Sequence, residues 1–200
     1  MKRAHRQGGA ALVMALVVLL ALLVIGVSAA RNAQQAEKAA RSERDRHIAF
    51  HAAESALADA ETDIEGGRDP VSARAQYFAR GSAAGFLDGC GADAALGLCL
   101  PVPAPGAPAW QQAALAAPEA GKCVEFGRFT GARLPTGHAA LPARLPRYII
   151  ELMPFARAGE DAATRTGNFY RITAIGFGAR STTHVVLQTY YFKATSEGGA

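Results

Sequence analysis

The sequence predicts an α+β protein: one long N-terminal helix, with a membrane half and an amphipathic half, packed on a C-terminal four-stranded antiparallel sheet. Three observations carry this expectation. Ala10 to Ala30 (AALVMALVVLLALLVIGVSAA) holds no charged residue, and its length approaches the ~20 residues that cross a bilayer as a helix. Arg31 to Glu65 contains neither Pro nor Gly and is dominated by Ala, Glu, Gln, Lys and Arg, which are strong helix formers. Beyond Gly121, four runs rich in Val, Ile, Tyr, Phe and Thr suit pleated, half-buried strands.

Taken in order, residues 1–9 form a short basic leader. Lys2, Arg3 and Arg6 bias that end to the cytoplasm, so the bulk of the chain is expected on the opposite side of the membrane. They also supply three of the positive charges behind the formal net charge of +4. The rest of the chain mixes acids and bases and shows no basic stripe interleaved with aromatics, so no nucleic-acid partner is expected. Residues 10–30 are the transmembrane half of the helix and 31–65 its amphipathic half. Val27-Ser28-Ala29 resembles a secretory cleavage site, but the apolar block exceeds the ~7–15 residues of a signal-peptide core and the helical pattern runs on without a break.

In the amphipathic half, Phe50, Ala53, Leu57, Ala60 and Ile64 follow the spacing of one apolar helix face. Glu37 with Arg41 and Glu43 with His47 read as i, i+4 pairs on the solvated side, and Asp59 and Asp63 are expected to solvate the helix as well. His47, His51 and Glu54 share a face, but Ile48 stands where a metalloprotease HExxH motif needs Glu. No further ligand accompanies them, so no metal site is expected. Gly66-Gly67 stops the helix and Asp69-Pro70 keeps it stopped. Gly26, inside the apolar half, is a place for a neighbouring helix to approach or for a bend.

Residues 66–121 read as a loop-rich αβ region: Val71 to Arg80 fits one short helix, and Gly81 to Pro108 is rich in Gly, Ala and Pro. Residues 122–193 carry the sheet, with strands expected at Lys122–Phe129, Arg147–Met153, Asn168–Phe177 and His184–Lys193. A tight connection at Gly178–Thr182 favours antiparallel pairing of the last two, and residues 194–200 are expected to be a flexible tail. No GxSxG, P-loop or strand-borne GxGxxG occurs. His138 and Ser181 lack identifiable partners, so no enzyme activity, catalytic residue or cofactor is expected. Cys90, Cys99 and Cys123 lie beyond the anchor, in a space where a disulfide is permitted, and one of them is left over. They form no CxxC motif or Cys/His cluster, so a zinc site is a poor reading.

The chain resembles the type IV pilins, and within them the PilX minor pilins. The resemblance begins at Gln7-Gly8-Gly9, where a basic leader ending in Gly meets an apolar helix, and continues through ALVMALVVLL and Ile25-Gly26-Val27-Ser28-Ala29-Ala30-Arg31. Asp45-Arg46 and Ala49-Phe50-His51-Ala52-Ala53-Glu54-Ser55-Ala56-Leu57 resemble the family's R-x-x-A-F-Q-A-A-E-x-A-L block, with His51 in the place of Gln. Gly97-Leu98-Cys99-Leu100-Pro101 resembles its central G-L-C block. Pro146 to Glu151, Tyr170 to Ala174 and Val185 to Gln188 resemble its closing strands.

The resemblance implies a pilin-like fold and cleavage by a prepilin peptidase between Gly9 and Ala10, with Gly8–Gly9 as the alternative bond and methylation of the new terminus. It implies an inner-membrane, single-pass protein that later enters the pilus, with other minor pilins, the major pilin and the inner-membrane assembly machinery as partners beside the bilayer. Pilins usually carry Glu at the fifth mature position; here it is Met14, or Val13 for the alternative bond. That departure points to a subunit that begins or caps a filament, supporting adhesion and twitching motility. A tip pseudopilin of type II secretion and an anchored periplasmic protein without a filament role are the alternatives. A Cys90–Cys99 disulfide is expected, with pairing of either to Cys123 left open.

Overall fold

The computed structural model describes residues 10–79, 82–103, 105–117, 121–137, 140–153 and 167–194. Lys2, Arg3, Arg6, Gly8, Gly9, Arg80, Gly81, His138 and the tail beyond Ala194 lie outside the described residues. The chain divides into two compact units, one ending at Arg44 and one beginning at Asp45. Helix α1 (Ala10–Ile64) runs through that boundary without interruption.

In the first unit α1 carries its apolar side chains on the outside, from Leu12 at 74% exposure to Val27 at 46%. It is the one described helix long and apolar enough to cross a membrane. In the second unit α1 ends at Ile64, where Gly66 and Gly67 take φ of 114° and 58° and their N–H groups bond Asp63 and Thr62 carbonyls at 3.1 and 2.9 Å. These positive φ values are why glycine stands there. Helix α2 (Ala73–Tyr77) is shorter than the 71–80 segment expected; Ser72 caps it, its Oγ accepting from the Ala75 N–H. Then follow strand β1 (Leu98–Cys99), helix α3 (Ala109–Gln112), β2 (Val124–Glu125), β3 (Arg147–Met153), β4 (Gly167–Phe177) and β5 (His184–Ala194).

The sheet order is β1-β3-β4-β5, with β2 also bonded to β3. Strands β3, β4 and β5 pair antiparallel without a break in register, from Arg147↔Ile175 to Met153↔Phe169 and from Gly167↔Ala194 to Phe177↔His184. The sheet is nonetheless mixed and five-stranded, not four-stranded and antiparallel: β1 runs parallel to β3, Leu98 opposite Ile150, while β2 takes the other half of the same edge, Val124 opposite Tyr148. A parallel neighbour needs a long excursion rather than a hairpin, and residues 100–146, carrying α3 and β2, supply it. The expected strand Lys122–Phe129 shrinks to β2 because Gly127 takes φ 79° and turns the chain.

Side-chain alternation gives each sheet face its own core. Tyr148, Ile150, Tyr170, Ile172 and Ala174 pack with Ala56, Ala60 and Ile64 of α1. On the opposite face Ile149, Ile175 and Phe177 join Leu115 and the three cysteines. Cys90 and Cys99 form a disulfide there, and Cys123 is buried outside it.

The buried stripe of α1 differs from the one the apolar spacing suggested. It consists of Ala49, Ala52, Ala53, Ala56, Ala60 and Ile64 together with Asp45, Asp59 and Asp63, whereas Phe50 stays 38% exposed and Leu57 only partly buried. The cause is close approach. A Cβ on Gly176 would fall on the Ala49 carbonyl and the Ala53 nitrogen, and one on Gly178 on the Asp45 carboxylate. Backbones in contact leave room for alanine and short aspartate but not for a phenyl ring.

Candidate functional site

Two features stand out as functional: the exposed apolar length of α1 and the three carboxylates that hold its other end to the sheet. In the first unit no acidic residue occupies the first turn of α1, Met14 is 74% exposed, and the first acid along the helix is Glu37. Around Gly26 nothing lies within 4 Å of an added Cβ, and Leu22, Leu23 and Ala30 border a shallow depression there. Such a surface suits lipid or other apolar helices. Glu37 and Arg41 pair on the solvated side.

In the second unit the aspartates expected to solvate α1 are buried and bonded instead. Asp45, 5% exposed, accepts from the backbone N–H of Arg180 at 3.2 Å and from its Nε at 2.9 Å. Burial pushes the Asp45 pKa up, but hydrogen bonds from Thr183, Arg180 and Ala179 outweigh it and hold the carboxyl below its ordinary value. Asp59, 4% exposed, accepts from the Gly127 N–H at 2.7 Å and from the Thr130 hydroxyl. Burial dominates here and, with Asp63 nearby, keeps its pKa raised despite those bonds.

Asp63 is fully buried and is the most heavily bonded of the three. Arg74 Nη2 reaches Oδ2 at 2.6 Å and Nε reaches Oδ1 at 3.1 Å, while the Tyr148 hydroxyl donates to Oδ2 at 3.0 Å. Arg74, itself 4% exposed, donates from Nη1 to the Ala94 and Leu96 carbonyls and lies 4.2 Å from the Phe129 ring centre. Burial, then the Asp63 charge, drives the Tyr148 phenol well above its usual pKa. One carboxylate thereby ties together α1, α2, the loop before β1 and strand β3. A second ion pair stitches the sheet: Glu151, fully buried, takes a bidentate fork from the half-buried Arg171 directly across the β3–β4 ladder, at 2.6 and 2.8 Å.

Sequence reasoning missed these partners because, Arg74 apart, each lies far along the chain. A signal existed: Asp45, Asp59 and Asp63 fall on the same helical stripe as Ala49, Ala52 and Ala56. His51 meets Glu54 at 3.0 Å on the exposed side of α1. Among the described residues no three His, Cys, Asp or Glu side chains converge as metal ligands. What the arrangement does is mechanical: it fastens one end of an apolar helix to a stapled sheet.

The family model described as type IV pilus assembly protein PilX C-term matches residues 33–193, and the PilX N-terminal model matches residues 7–58. No curated protein and no solved structure matches the chain. The two family matches overlap within α1 and between them take in the apolar helix, all three carboxylates and the sheet as far as Lys193. The chain belongs to the type IV pilus assembly protein PilX family.

Proposed function

We propose that this pilus assembly protein is a minor pilin that initiates or caps the filament within a minor-pilin tip complex, and so supports pilus biogenesis, adhesion and twitching motility. The observation that carries the reading is the absence of any carboxylate before Glu37 in α1. With prepilin peptidase cutting between Gly9 and Ala10, the fifth mature residue is Met14. In an apolar filament core a carboxylate at this place pairs strongly with a neighbour's terminal amine, because the low dielectric magnifies the attraction. A subunit with Met14 lacks its half of that pair. It is a poor repeating unit but an acceptable first one.

Before assembly the protein sits in the inner membrane, with Lys2, Arg3 and Arg6 on the cytoplasmic side and the sheet domain in the periplasm. Its partners are the bilayer, prepilin peptidase, the assembly machinery, other minor pilins and the major pilin. Mass spectrometry of the mature N-terminus from membrane fractions tests the processing: a start at Ala10 supports it, and a start near Ala30 overturns it. Position is tested separately with Met14→Glu. The substitution is expected to move the protein from pilus ends into the shaft, as seen by immunogold labelling of sheared pili; unchanged labelling along the shaft for both forms overturns the tip assignment.

A further inference from the structure

We propose that the outer edge of β5 receives an extended strand donated by a different polypeptide, bearing Lys or Arg on its helix-facing side and apolar residues on the other. Among the described residues β5 bonds to no strand but β4. The Gly178 N–H bonds the Thr183 carbonyl at 2.8 Å. Alternation along the ladder then directs the backbone groups of residues 185, 187, 189, 191 and 193 toward β4 and those of Val186, Gln188 and Tyr190 outward. Over its 11 residues the strand has no proline and no bulge, and Lys193 is turned to the Ile64 carbonyl. Natural sheets blunt a free edge with such devices; without them the edge is a template for pairing.

The side chains beside this edge define the occupant. On the outer face Val186 and Tyr190 are 39% and 55% exposed, so alternate residues of an added strand meet apolar surface. On the other face lies a flank of α1. Glu65 accepts from Tyr191 of β5 at 2.7 Å, and Glu61 acts on the same phenol, which is pushed up to about 12. Helical spacing places Phe50, Glu54 and Leu57 on that flank too. A strand seated there faces Glu54 and Glu61 and meets their charge best with Lys or Arg.

A second copy fits poorly. Ala49 and Ala53 lie at Gly176 and Ile64 at Lys193, so α1 runs in the same direction as β5. Antiparallel pairing of two β5 edges puts both α1 flanks on the same side of the joined sheet, where the acidic flanks of the two copies meet and repel. Parallel pairing in register sets Lys193 against Lys193. The far edge of the sheet is already held by β1 and β2.

The test is NMR-resolved hydrogen exchange on the full chain in lipid nanodiscs, with acetylated nonapeptides alternating Lys/Val or Glu/Val at millimolar concentration. The Lys/Val peptide is expected to slow exchange at Val186, Gln188 and Tyr190 by about tenfold, the Glu/Val peptide less, and Glu54→Lys with Glu61→Lys reverses the order. Gln188→Pro removes only an outward N–H, so it abolishes protection while the chain stays folded; Gln188→Ala controls for its side-chain bond to Thr173. The proposal is overturned by no protection, by equal protection from both peptides, by outward amides already protected in the free chain, or by protection that grows with chain concentration alone. None of these readings depends on where the mature N-terminus begins, so failure here and failure of the pilin reading are separable.

Discussion

Removing the Asp63 carboxylate is expected to cost more than any other single polar change in this protein. In Asp63→Ala, Arg74 keeps its bonds to the Ala94 and Leu96 carbonyls but loses its counter-charge while only 4% exposed, and the Tyr148 hydroxyl loses its acceptor. Breaking a buried ion pair from one side typically costs ~3–5 kcal/mol, and a stranded buried hydroxyl adds ~1 kcal/mol or more. Against a total stability of ~5–15 kcal/mol, that is a large fraction. With a urea slope of ~2 kcal/mol per molar, a loss of ~4 kcal/mol lowers the midpoint by ~2 M. Trp110 is the single tryptophan and packs against the core face that holds the disulfide, so its fluorescence in mild detergent follows the transition. Replacing both partners, as Asp63→Leu with Arg74→Met, should recover much of the loss, since apolar residues of similar volume substitute well for a buried pair. The exposed Glu37–Arg41 pair is the control, worth only ~0.3–0.5 kcal/mol. A shift for Asp63→Ala as small as that for Arg41→Ala would refute the argument that this carboxylate fastens α1 to the domain.

Three further outcomes are expected. Gly176→Ala should destabilise by ~1–3 kcal/mol, because the new methyl lands on the α1 backbone, whereas Gly26→Ala meets nothing within 4 Å and should raise helix content, as circular dichroism of the two variants would reveal. Asp45 has a lowered pKa, so its contribution is present above its unfolded pKa and lost as pH falls through the folded value; Asp59 has a raised pKa, so its contribution is full below the unfolded value and lost as pH rises through the folded one. Asp45→Asn should therefore lessen the acid loss of stability, while Asp59→Asn should gain on the parent from pH 3 toward neutrality, both read from urea midpoints across pH; slopes of opposite sign would exclude the assignment. Reducing the Cys90–Cys99 bond, or replacing both residues by Ser, should cost roughly 2–3 kcal/mol for a loop this short, and Cys123→Ala should leave the pairing found by non-reducing peptide mapping unchanged.

Asp59 and Asp63 are buried and bonded rather than solvated. Both are charged residues on a charged helix, and by composition a solvated role is the ordinary one. Their burial depends on Thr130, Gly127, Arg74 and Tyr148; the Tyr148 bond spans 85 residues and the Thr130 bond 71. No local pattern records such a partner. Phe50 errs the other way: its spacing fits the apolar stripe, yet the helix turns its alanines to the sheet because Gly176 and Gly178 admit the backbone itself.

The apolar anchor, the unbroken helix to the Gly66-Gly67 stop and the three long strands follow from the sequence alone. Each rests on a local cause: an uncharged run long enough for a bilayer, residues that favour one backbone conformation, and a pattern of period two. Only the tertiary structure decided which stripe of α1 is buried, that three aspartates hold it, and that β1 joins the sheet parallel to β3. Those depend on close backbone approach and on charges meeting from distant parts of the chain. Physical proximity, not periodicity, sets them.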